Sequence, residues 1–304
     1  MTAIHGWIIM DKPLGITSAG GVARVKRLMR EHGIRKPKVG HGGTLDPLAT
    51  GVLPIALGEA TKLTGRMLNG DKGYDFTITF GSATATDDLE GDIVEESAHR
   101  PSLASVQDVL PQFTGPITQR PPAYSALKVD GERAYKRARA GEVLNMAERG
   151  VTVHELIIST TCGAPPDADA LDQITLSATV SKGTYVRALA RDIAVALGTA
   201  GHVSMLRRTA CGPFALESAI TLDNLMESAM ERGLESVVLP MTTGLDDIPA
   251  LPVTAEEAGI LRHGQQLSGC PEPDGLKIAM MEEIPVALVA VENGIVRVER
   301  GFNL

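Results

Sequence analysis

Two segments that alternate strictly between apolar and polar residues constrain the fold of this chain most. Residues 74–81 and 174–180 have the two-residue period of a β-strand, which places the apolar side chains on one face. A helical period marks residues 18–32, 102–113, 186–197 and 221–233. We expect Ser18 to cap the first helix and Gly33 to end it. Because strands and helices follow one another along the chain, the pattern predicts a large α+β domain.

The last quarter of the chain has a different pattern. Residues 244–252 are rich in Gly, Asp and Pro and are typical of a linker. A capping box at residues 254–257 predicts a short helix. Further on, apolar segments flank Asn293-Gly294, a dipeptide strongly typical of a β-hairpin turn. We therefore predict two domains, residues 1–247 and residues 248–304, of which the second is small and mostly β.

Charge is distributed unevenly along the sequence. The net charge of the whole chain is −8, yet residues 1–70 carry +6 and residues 217–304 carry −10. Residues 117–139 are also basic, with six Lys or Arg against two acidic residues. A polyanion responds to local charge, because salt screens charges farther away than roughly 8–10 Å. The basic segments therefore favour a polyanionic partner.

Composition and cysteine spacing exclude several classes of protein. The 304 residues are 43% hydrophobic and 22% charged, which is ordinary globular usage and enough for about two domains. We expect no membrane span and no signal peptide, and hence a cytoplasmic protein. Cys162, Cys211 and Cys270 are odd in number and far apart, so they predict neither a disulfide framework nor a zinc pair. The histidines form no HxxxH or HExxH pair.

The most unusual segment is GHGGTLDPLATG at residues 40–51. Its glycines allow backbone to approach a ligand closely, and Asp46 is a candidate catalytic carboxylate. The same residues are also typical of a tight turn before a helix, with Asp46 as the N-cap and Pro47 as the first helical residue. A phosphate-binding loop is a third interpretation, but both phosphate-loop fingerprints fail here.

A second candidate segment is KGTYVR at residues 182–187, which joins a strand to a helix. Side chains at such a junction lie at the end of a sheet, where binding sites often form. Arg187 could pair there with a carboxylate and keep it ionised. An exposed arginine at a helix start is the commoner case. Tyr74, at the start of a predicted strand, is likewise more often a half-buried core residue than a catalytic group.

At these residues the sequence resembles the TruB family of bacterial tRNA pseudouridine synthases. Six blocks carry the resemblance in order over about two hundred residues. They are DKPLGITS at 11–18, GHGGTLDPLATGVL at 40–53, KGY at 72–74, QRPPAYSALK at 119–128, KGTYVR at 182–187 and LRR at 206–208. Gly42 stands where members of that family often carry Thr or Ala. The resemblance implies an α+β fold with a mixed, mainly antiparallel central sheet and flanking helices, followed by a small, mostly β PUA-like RNA-binding domain.

The resemblance also implies roles for individual residues. Asp46 matches the essential aspartate. Tyr74 would stack on the target base, and Arg187 would pair with Asp46. The implied substrate-binding set is His41, Tyr74, Tyr185, Arg187 and Leu206, in which His41 contacts RNA near the flipped nucleotide and Tyr185 and Leu206 line the uracil pocket.

Two further positions follow from the same resemblance. Lys12 belongs to the first block, where we expect a mainly structural role. Residues 119–149 match an insertion that clasps the T arm of tRNA. The expected protein is a monomer that binds tRNA and uses no cofactor or metal, since the reaction is an isomerisation without redox change.

The implied reaction detaches uracil, rotates it and reattaches it through C5 at the T-loop uridine, position 55. The base must first be flipped out of its loop. An ionised Asp46 could attack C1′ or C6, or remove a sugar proton, and the residues do not choose among these. Two alternatives stay open, which are a non-catalytic tRNA-folding protein on the same fold and a small-molecule enzyme whose glycine-rich loop binds phosphate.

Overall fold

The structure is a computed structural model that describes residues 4–159 and 169–304. Its strands in chain order are β1 (Gly6–Lys12), β2 (Val39–His41), β3 (Ala49–Leu57), β4 (Lys72–Phe80), β5 (Ser82–Thr84), β6 (Ile93–Glu96), β7 (Gly115–Gln119), β8 (Lys128–Val129), β9 (Glu132–Arg133), β10 (Arg149–Ile158), β11 (Gln173–Val180), β12 (Gly201–Cys211), β13 (Phe214–Ala215), β14 (Ile220–Thr221), β15 (Ala250–Pro252), β16 (Leu267–Ser268), β17 (Gly275–Met281), β18 (Ile284–Glu292) and β19 (Ile295–Gly301). Its α-helices are α1 (Ser18–Glu31), α2 (Thr64–Asn69), α3 (Leu103–Val109), α4 (Ala134–Arg139), α5 (Val186–Ala196), α6 (Leu222–Arg232) and α7 (Ala255–Arg262).

Ten strands of the described chain form one large mixed sheet, as predicted for the fold class. The strand order is β14-β1-β3-β12-β4-β11-β10-β7, with β2 paired to β3 and β13 paired to β12. The β1–β14 and β3–β12 pairs are parallel, and the other pairs are antiparallel. The alternating segments at residues 74–81 and 174–180 are confirmed as the paired strands β4 and β11. The centre of the sheet therefore brings β3, β12, β4 and β11 side by side.

The first helix begins one residue earlier than predicted, so the assignment of Ser18 as its cap is wrong. Thr17 is the N-cap, and its side chain accepts a hydrogen bond from the Gly20 amide at 2.9 Å. Ser18 is buried, where its hydroxyl donates to the Leu45 carbonyl at 3.0 Å and accepts from the Leu45 amide at 2.7 Å. The side chain that was expected to cap α1 instead ties the helix to the loop that carries Asp46.

Helices cover the large sheet and supply its core. Apolar residues of α5 pack with β4, β10 and β11, and residues of α1 and α6 pack with β1 and β3. The predicted helix at residues 102–113 is confirmed as α3, capped by the Ser102 side chain, and a 3-10 turn at Leu110–Phe113. No helix begins after Asp46, where a turn leads directly into β3. The interpretation of Asp46 as a helix N-cap is therefore wrong.

The second sheet takes its strands from residues 250–301, in the order β15-β17-β18-β19-β16. Its hairpin turn is confirmed at Asn293 and Gly294, whose φ values of 52° and 73° are those of a type I′ turn. The capping box at residues 254–257 is likewise confirmed at the start of α7. The division of the chain into two domains at residue 247 stays a prediction.

The predicted linker at residues 244–252 is only partly exposed, and its role as a linker stays a prediction. Leu245 and Ile248 are buried in a cluster with Trp7, and the Trp7 indole donates to the Met241 carbonyl at 3.1 Å. The segment then continues as strand β15. Leu245 and Ile248 pack against β1, whereas the Asp and Pro residues of the segment are exposed.

Of the three cysteines, Cys211 is buried, Cys270 is half-buried and Cys162 lies outside the described residues. Among the described residues, no helix is long and apolar enough to cross a bilayer.

Candidate active site

The loop between β2 and β3 carries Asp46 and is fixed from three sides. Gly42 donates from its amide to the Pro54 carbonyl at 2.9 Å. The buried Arg208 guanidinium of β12 donates to the carbonyls of Gly43 and Thr44 at 3.2 and 3.4 Å. On the other side, the loop is bound by Ser18 at Leu45, as described above. The backbone around Asp46 is thus positioned by α1, β3 and β12 together.

Asp46 points into a pocket and pairs there with Arg187 at the start of α5. The Arg187 Nε lies 3.1 Å from Asp46 Oδ2, and its Nη1 lies 3.0 Å from Asp88 Oδ2. Arg187 also donates to the carbonyls of Thr86 and Tyr124, both at 2.9 Å. The Arg187 side chain is only 6% exposed, whereas that of Asp46 is 40% exposed. The arginine is therefore a fixed internal anchor, and the carboxylate is the group that faces a ligand.

Burial raises the pKa of the Asp46 carboxyl above its ordinary value, and the nearby Asp88 adds to this rise. Arg187 and, more weakly, Lys12 act in the opposite direction. The sequence predicted that Arg187 keeps the carboxylate ionised. The structure places Arg187 correctly for this, but desolvation outweighs its effect on the pKa.

The pocket around Asp46 has a volume of about 350 Å³ and brings together most of the predicted residues. Tyr74 comes from β4, Leu206 from β12, and Tyr185 immediately precedes α5. Burial raises the pKa of the Tyr74 phenol, while the adjacent Arg208 guanidinium lowers it. Two aromatic rings, an aliphatic side chain and one carboxylate form a site that fits a flat heterocycle held beside an anion.

His41 is the predicted residue that does not line this pocket. It ends β2, and its Nδ1 lies 3.4 Å from the Gly43 amide, which donates to it. Burial lowers the pKa of His41, and Arg208 lowers it further. A neutral imidazole can accept this hydrogen bond, so in this structure His41 supports the glycine-rich loop from outside the pocket.

Lys12 lies beneath the same loop and is fully buried. Its ammonium group donates to the carbonyls of Ile16, Pro13 and Pro47 at 2.8, 3.0 and 3.3 Å. Burial lowers its pKa to about 8, with Asp46 raising it and Arg208 lowering it. These contacts join the end of β1, the start of α1 and the Asp46 loop, which agrees with the structural role expected for Lys12.

Several pocket residues were not assigned a role from the sequence. They are Lys72, Ser125, Arg149 and Arg208, and a further unassigned residue is Asp88, which does not line this pocket but pairs with Arg187. Arg208 was within reach of sequence reasoning, because it lies two residues beyond Leu206 on the same strand and so shares its face. Lys72 and Ser125 lie in two of the blocks that carry the resemblance, but they were given no role there, whereas Asp88 and Arg149 have no signal in the sequence that distinguishes them from surface residues. Within the described chain, no cluster of three or more His, Cys, Asp or Glu could hold a metal ion.

Comparison with known proteins identifies the family. The model of the TruB family pseudouridylate synthase N-terminal domain matches residues 26–186, and that of the tRNA pseudouridylate synthase B C-terminal domain matches residues 187–246. The chain belongs to the TruB family of pseudouridylate synthases. As a member of this family, the TruB chain is an isomerase, and the pocket around Asp46 is its candidate active site.

Curated relatives share the name tRNA pseudouridine synthase B. The protein from Novosphingobium aromaticivorans is 55% identical over 99% of this chain and 98% of its own length. The protein from Zymomonas mobilis subsp. mobilis is 53% identical over 99% of this chain and 97% of its own length. The similarity therefore extends through the second sheet.

A solved structure of an H/ACA RNP bound to a substrate RNA containing 2′-deoxyuridine has a TM-score of 0.72 and 25% identity. A Cbf5-Nop10-Gar1 complex has a TM-score of 0.71 and 27% identity. Each similarity covers 98% of this chain and 85% of the other chain. The predicted pseudouridine synthase fold is confirmed.

Proposed function

We propose that this TruB protein isomerises the T-loop uridine of tRNA, position 55, to pseudouridine, with Asp46 as the catalytic residue. The observation that carries the proposal is the ion pair of 3.1 Å between Asp46 and the buried Arg187, inside a pocket lined by two tyrosines. A carboxylate fixed beside a flat binding site can act as a nucleophile or as a base. The names of the curated relatives support tRNA as the substrate.

In this proposal the target uridine leaves its stack and enters the pocket. Unstacking a base costs a few kcal/mol, which contacts in the pocket must offset. The Tyr74 ring offers a flat face for the uracil, and Tyr185 and Leu206 enclose it. Arg187 holds the Asp46 carboxylate in one orientation throughout, because its remaining donors are bound to protein.

Residues 119–149 fit the proposed role of holding the T arm of tRNA. The segment includes the hairpin of β8 and β9 and the short basic helix α4, which is exposed along much of its length. Exposed basic side chains can contact phosphates, and such binding weakens as salt rises. We further propose that the protein is cytoplasmic and acts as a monomer. Sedimentation at micromolar concentration would test the monomeric state.

The experiment uses an unmodified tRNA transcript, purified protein and no added cofactor. Pseudouridine is then mapped by chemical derivatisation and primer extension. We expect one new signal, at the T-loop uridine, with wild-type protein and none with Asp46→Asn, while tRNA binding is kept. Asp108→Asn, at an exposed carboxylate outside the pocket, is the matched control and should behave as wild type.

Two outcomes would overturn the proposal. Full modification by Asp46→Asn would remove Asp46 from the mechanism. Tight tRNA binding with no pseudouridine from the wild-type protein would favour the tRNA-folding alternative.

A further inference from the structure

Arg149 differs from the other cationic side chains in the pocket. Arg187 and Arg208 use every guanidinium nitrogen in contacts with the protein. The Lys72 ammonium group donates to the carbonyls of Leu68 and Gly70. By contrast, the Nε and Nη2 atoms of Arg149 are buried and have no hydrogen-bond partner. Because an unpaired buried donor is costly, this guanidinium is suited to a ligand that supplies acceptors.

The Arg149 guanidinium is held in place by its surroundings. Its central carbon lies 4.9 Å from the centroid of the Tyr185 ring, a distance typical of a cation–π contact. Its backbone starts β10 and pairs with Gln119. Gly183 leaves room for the guanidinium, since a Cβ at that position would lie 3.3 Å from Arg149 Nη1. The side chain is thus positioned against the pocket wall before any ligand binds.

Ser125 supplies a second unpartnered polar group in the same pocket. The residue is only 3% exposed, and its buried hydroxyl has no hydrogen-bond partner. Its position is fixed, because the carbonyl of the preceding Tyr124 accepts a hydrogen bond from Arg187 at 2.9 Å. Ser125 therefore keeps a constant relation to the Arg187–Asp46 pair.

The charge of the pocket points to an anion at this place. Among the described residues that line the pocket, Asp46 is the one carboxylate, and it is already paired with Arg187. A guanidinium and a hydroxyl with free donors bind a phosphate oxygen well, and more strongly than a neutral carbonyl. The substrate class of the proposed function carries such phosphates on both sides of each nucleoside.

We propose that Arg149 and Ser125 form a receptor for one backbone phosphate that flanks the flipped uridine. This inference rests on the proposed function. The receptor binds the phosphodiester on either the 5′ or the 3′ side, and the experiment below distinguishes the two. It anchors the backbone of the target nucleotide, while Asp46 acts on the nucleoside itself.

The test combines protein variants with modified RNA. Three T-arm stem-loops are compared, which are an unmodified one and two with a single neutral methylphosphonate on the 5′ or the 3′ side of the target uridine. We expect Arg149→Gln to raise KM about tenfold to a hundredfold on the unmodified RNA, the factor typical of a hydrogen bond to a charged group. The kcat should stay near that of wild type, because the contact exists before and during reaction.

The decisive readout is the coupling between the two changes. One methylphosphonate should raise the wild-type KM by a similar factor but add nothing to that of Arg149→Gln, because both remove the same contact. Ser125→Ala should show a smaller loss on the same stem-loop. Arg149→Lys should have a KM between those of wild type and Arg149→Gln, since lysine keeps the positive charge but not the planar guanidinium donors. Arg232→Gln, an exposed arginine of α6 outside the pocket, controls for loss of one positive charge.

The inference and the proposed function fail in different ways. If wild-type protein forms no pseudouridine in the unmodified stem-loop, the proposed function fails. If wild type is active but Arg149→Gln has an unchanged KM, the receptor is refuted alone. It is also refuted if the effects of Arg149→Gln and of each methylphosphonate multiply independently.

Discussion

Replacing Gly51 with alanine tests how closely β3 and β12 must approach to build the active site. Gly51 has a φ of +99° and pairs with Arg208 in the parallel register of these strands. A Cβ at Gly51 would lie 2.1 Å from the Arg208 carbonyl oxygen and 2.9 Å from the Arg208 amide nitrogen. Both atoms belong to the backbone, so the contact cannot be relieved by rotating a side chain.

The expected loss of stability has two parts. A non-glycine residue forced into this region of φ costs about 1–3 kcal/mol. Displacing the β12 backbone adds to this cost, so we expect a total of about 3–5 kcal/mol, in the range of severe single mutations. At roughly 2–4 °C per kcal/mol for a protein of comparable size, Tm should fall by about 6–20 °C. Thermal and urea unfolding measure both quantities.

Activity should fall as well, even at a temperature where Gly51→Ala stays folded. Arg208 holds the carbonyls of Gly43 and Thr44, so moving its backbone moves the Asp46 loop. A displacement of about 1 Å can cost on the order of a hundredfold in rate. The kcat for pseudouridine formation in tRNA should therefore drop at least tenfold.

Gly65→Ala is the matched control. Gly65 lies in α2, and no atom outside its chain neighbours and the backbone of its own helix would lie within 4 Å of an added Cβ. Alanine in a helix is favoured over glycine by about 0.5–1 kcal/mol. This variant should be as stable as wild type or slightly more so. The reasoning is refuted if Gly51→Ala unfolds within about 0.5 kcal/mol of wild type, the scatter of neutral surface changes.

Three further outcomes are expected. First, kcat/KM should decrease as pH falls through a value above the ordinary aspartate pKa of 3.8. Burial raises the pKa of Asp46, and protonation removes the reactive anion. A decrease in kcat/KM that begins only at or below pH 3.8 would contradict this. Second, Gly42→Ala should lower the free energy of unfolding in urea by about 1–3 kcal/mol, because the new Cβ would lie 2.6 Å from the Met67 Cβ. An unchanged urea midpoint would contradict this and show that α2 moves away at no cost. Third, Phe302→Ala should lower the free energy of unfolding by about 3–5 kcal/mol, measured by thermal unfolding, because Phe302 is 1% exposed. Leu304→Ala, at a residue that is 44% exposed, should leave stability nearly unchanged.

Helices and strands were predictable where one physical rule governs a segment, and their ends were less so where two neighbouring residues suit the same position. The strand at residues 74–81 followed from alternation alone, because one face of β4 packs into the core. The cap of α1 did not, since Thr17 and Ser18 are both good N-cap residues. Which of the two caps the helix depends on the contact of Ser18 with Leu45, a residue that is distant in sequence.

The site shows the same limit more strongly. Asp46, Tyr74 and Arg187 lie on separate segments of the sequence, and they meet because β3, β12, β4 and β11 are neighbours in the sheet. Residue types and spacing suggested each as a candidate, but only the resemblance joined them. The unpartnered donors of Arg149 and Ser125 could not be found from sequence, because the lack of a partner exists only after folding.

The acidic end of the chain contacts the segment before α2 through individual hydrogen bonds. The Lys62 ammonium donates to the Gly301 carbonyl at 2.8 Å, and the Glu59 carboxylate accepts from the Asn303 amide at 2.8 Å. The segment that makes these contacts leads into α2, and the end of α2 carries Leu68, which lines the pocket. The Leu68 carbonyl accepts a hydrogen bond from Lys72, which also lines the pocket. The net charge of −10 on residues 217–304 therefore does not keep this end of the chain away from the segment before α2, since the contacts are made by individual side chains and backbone groups.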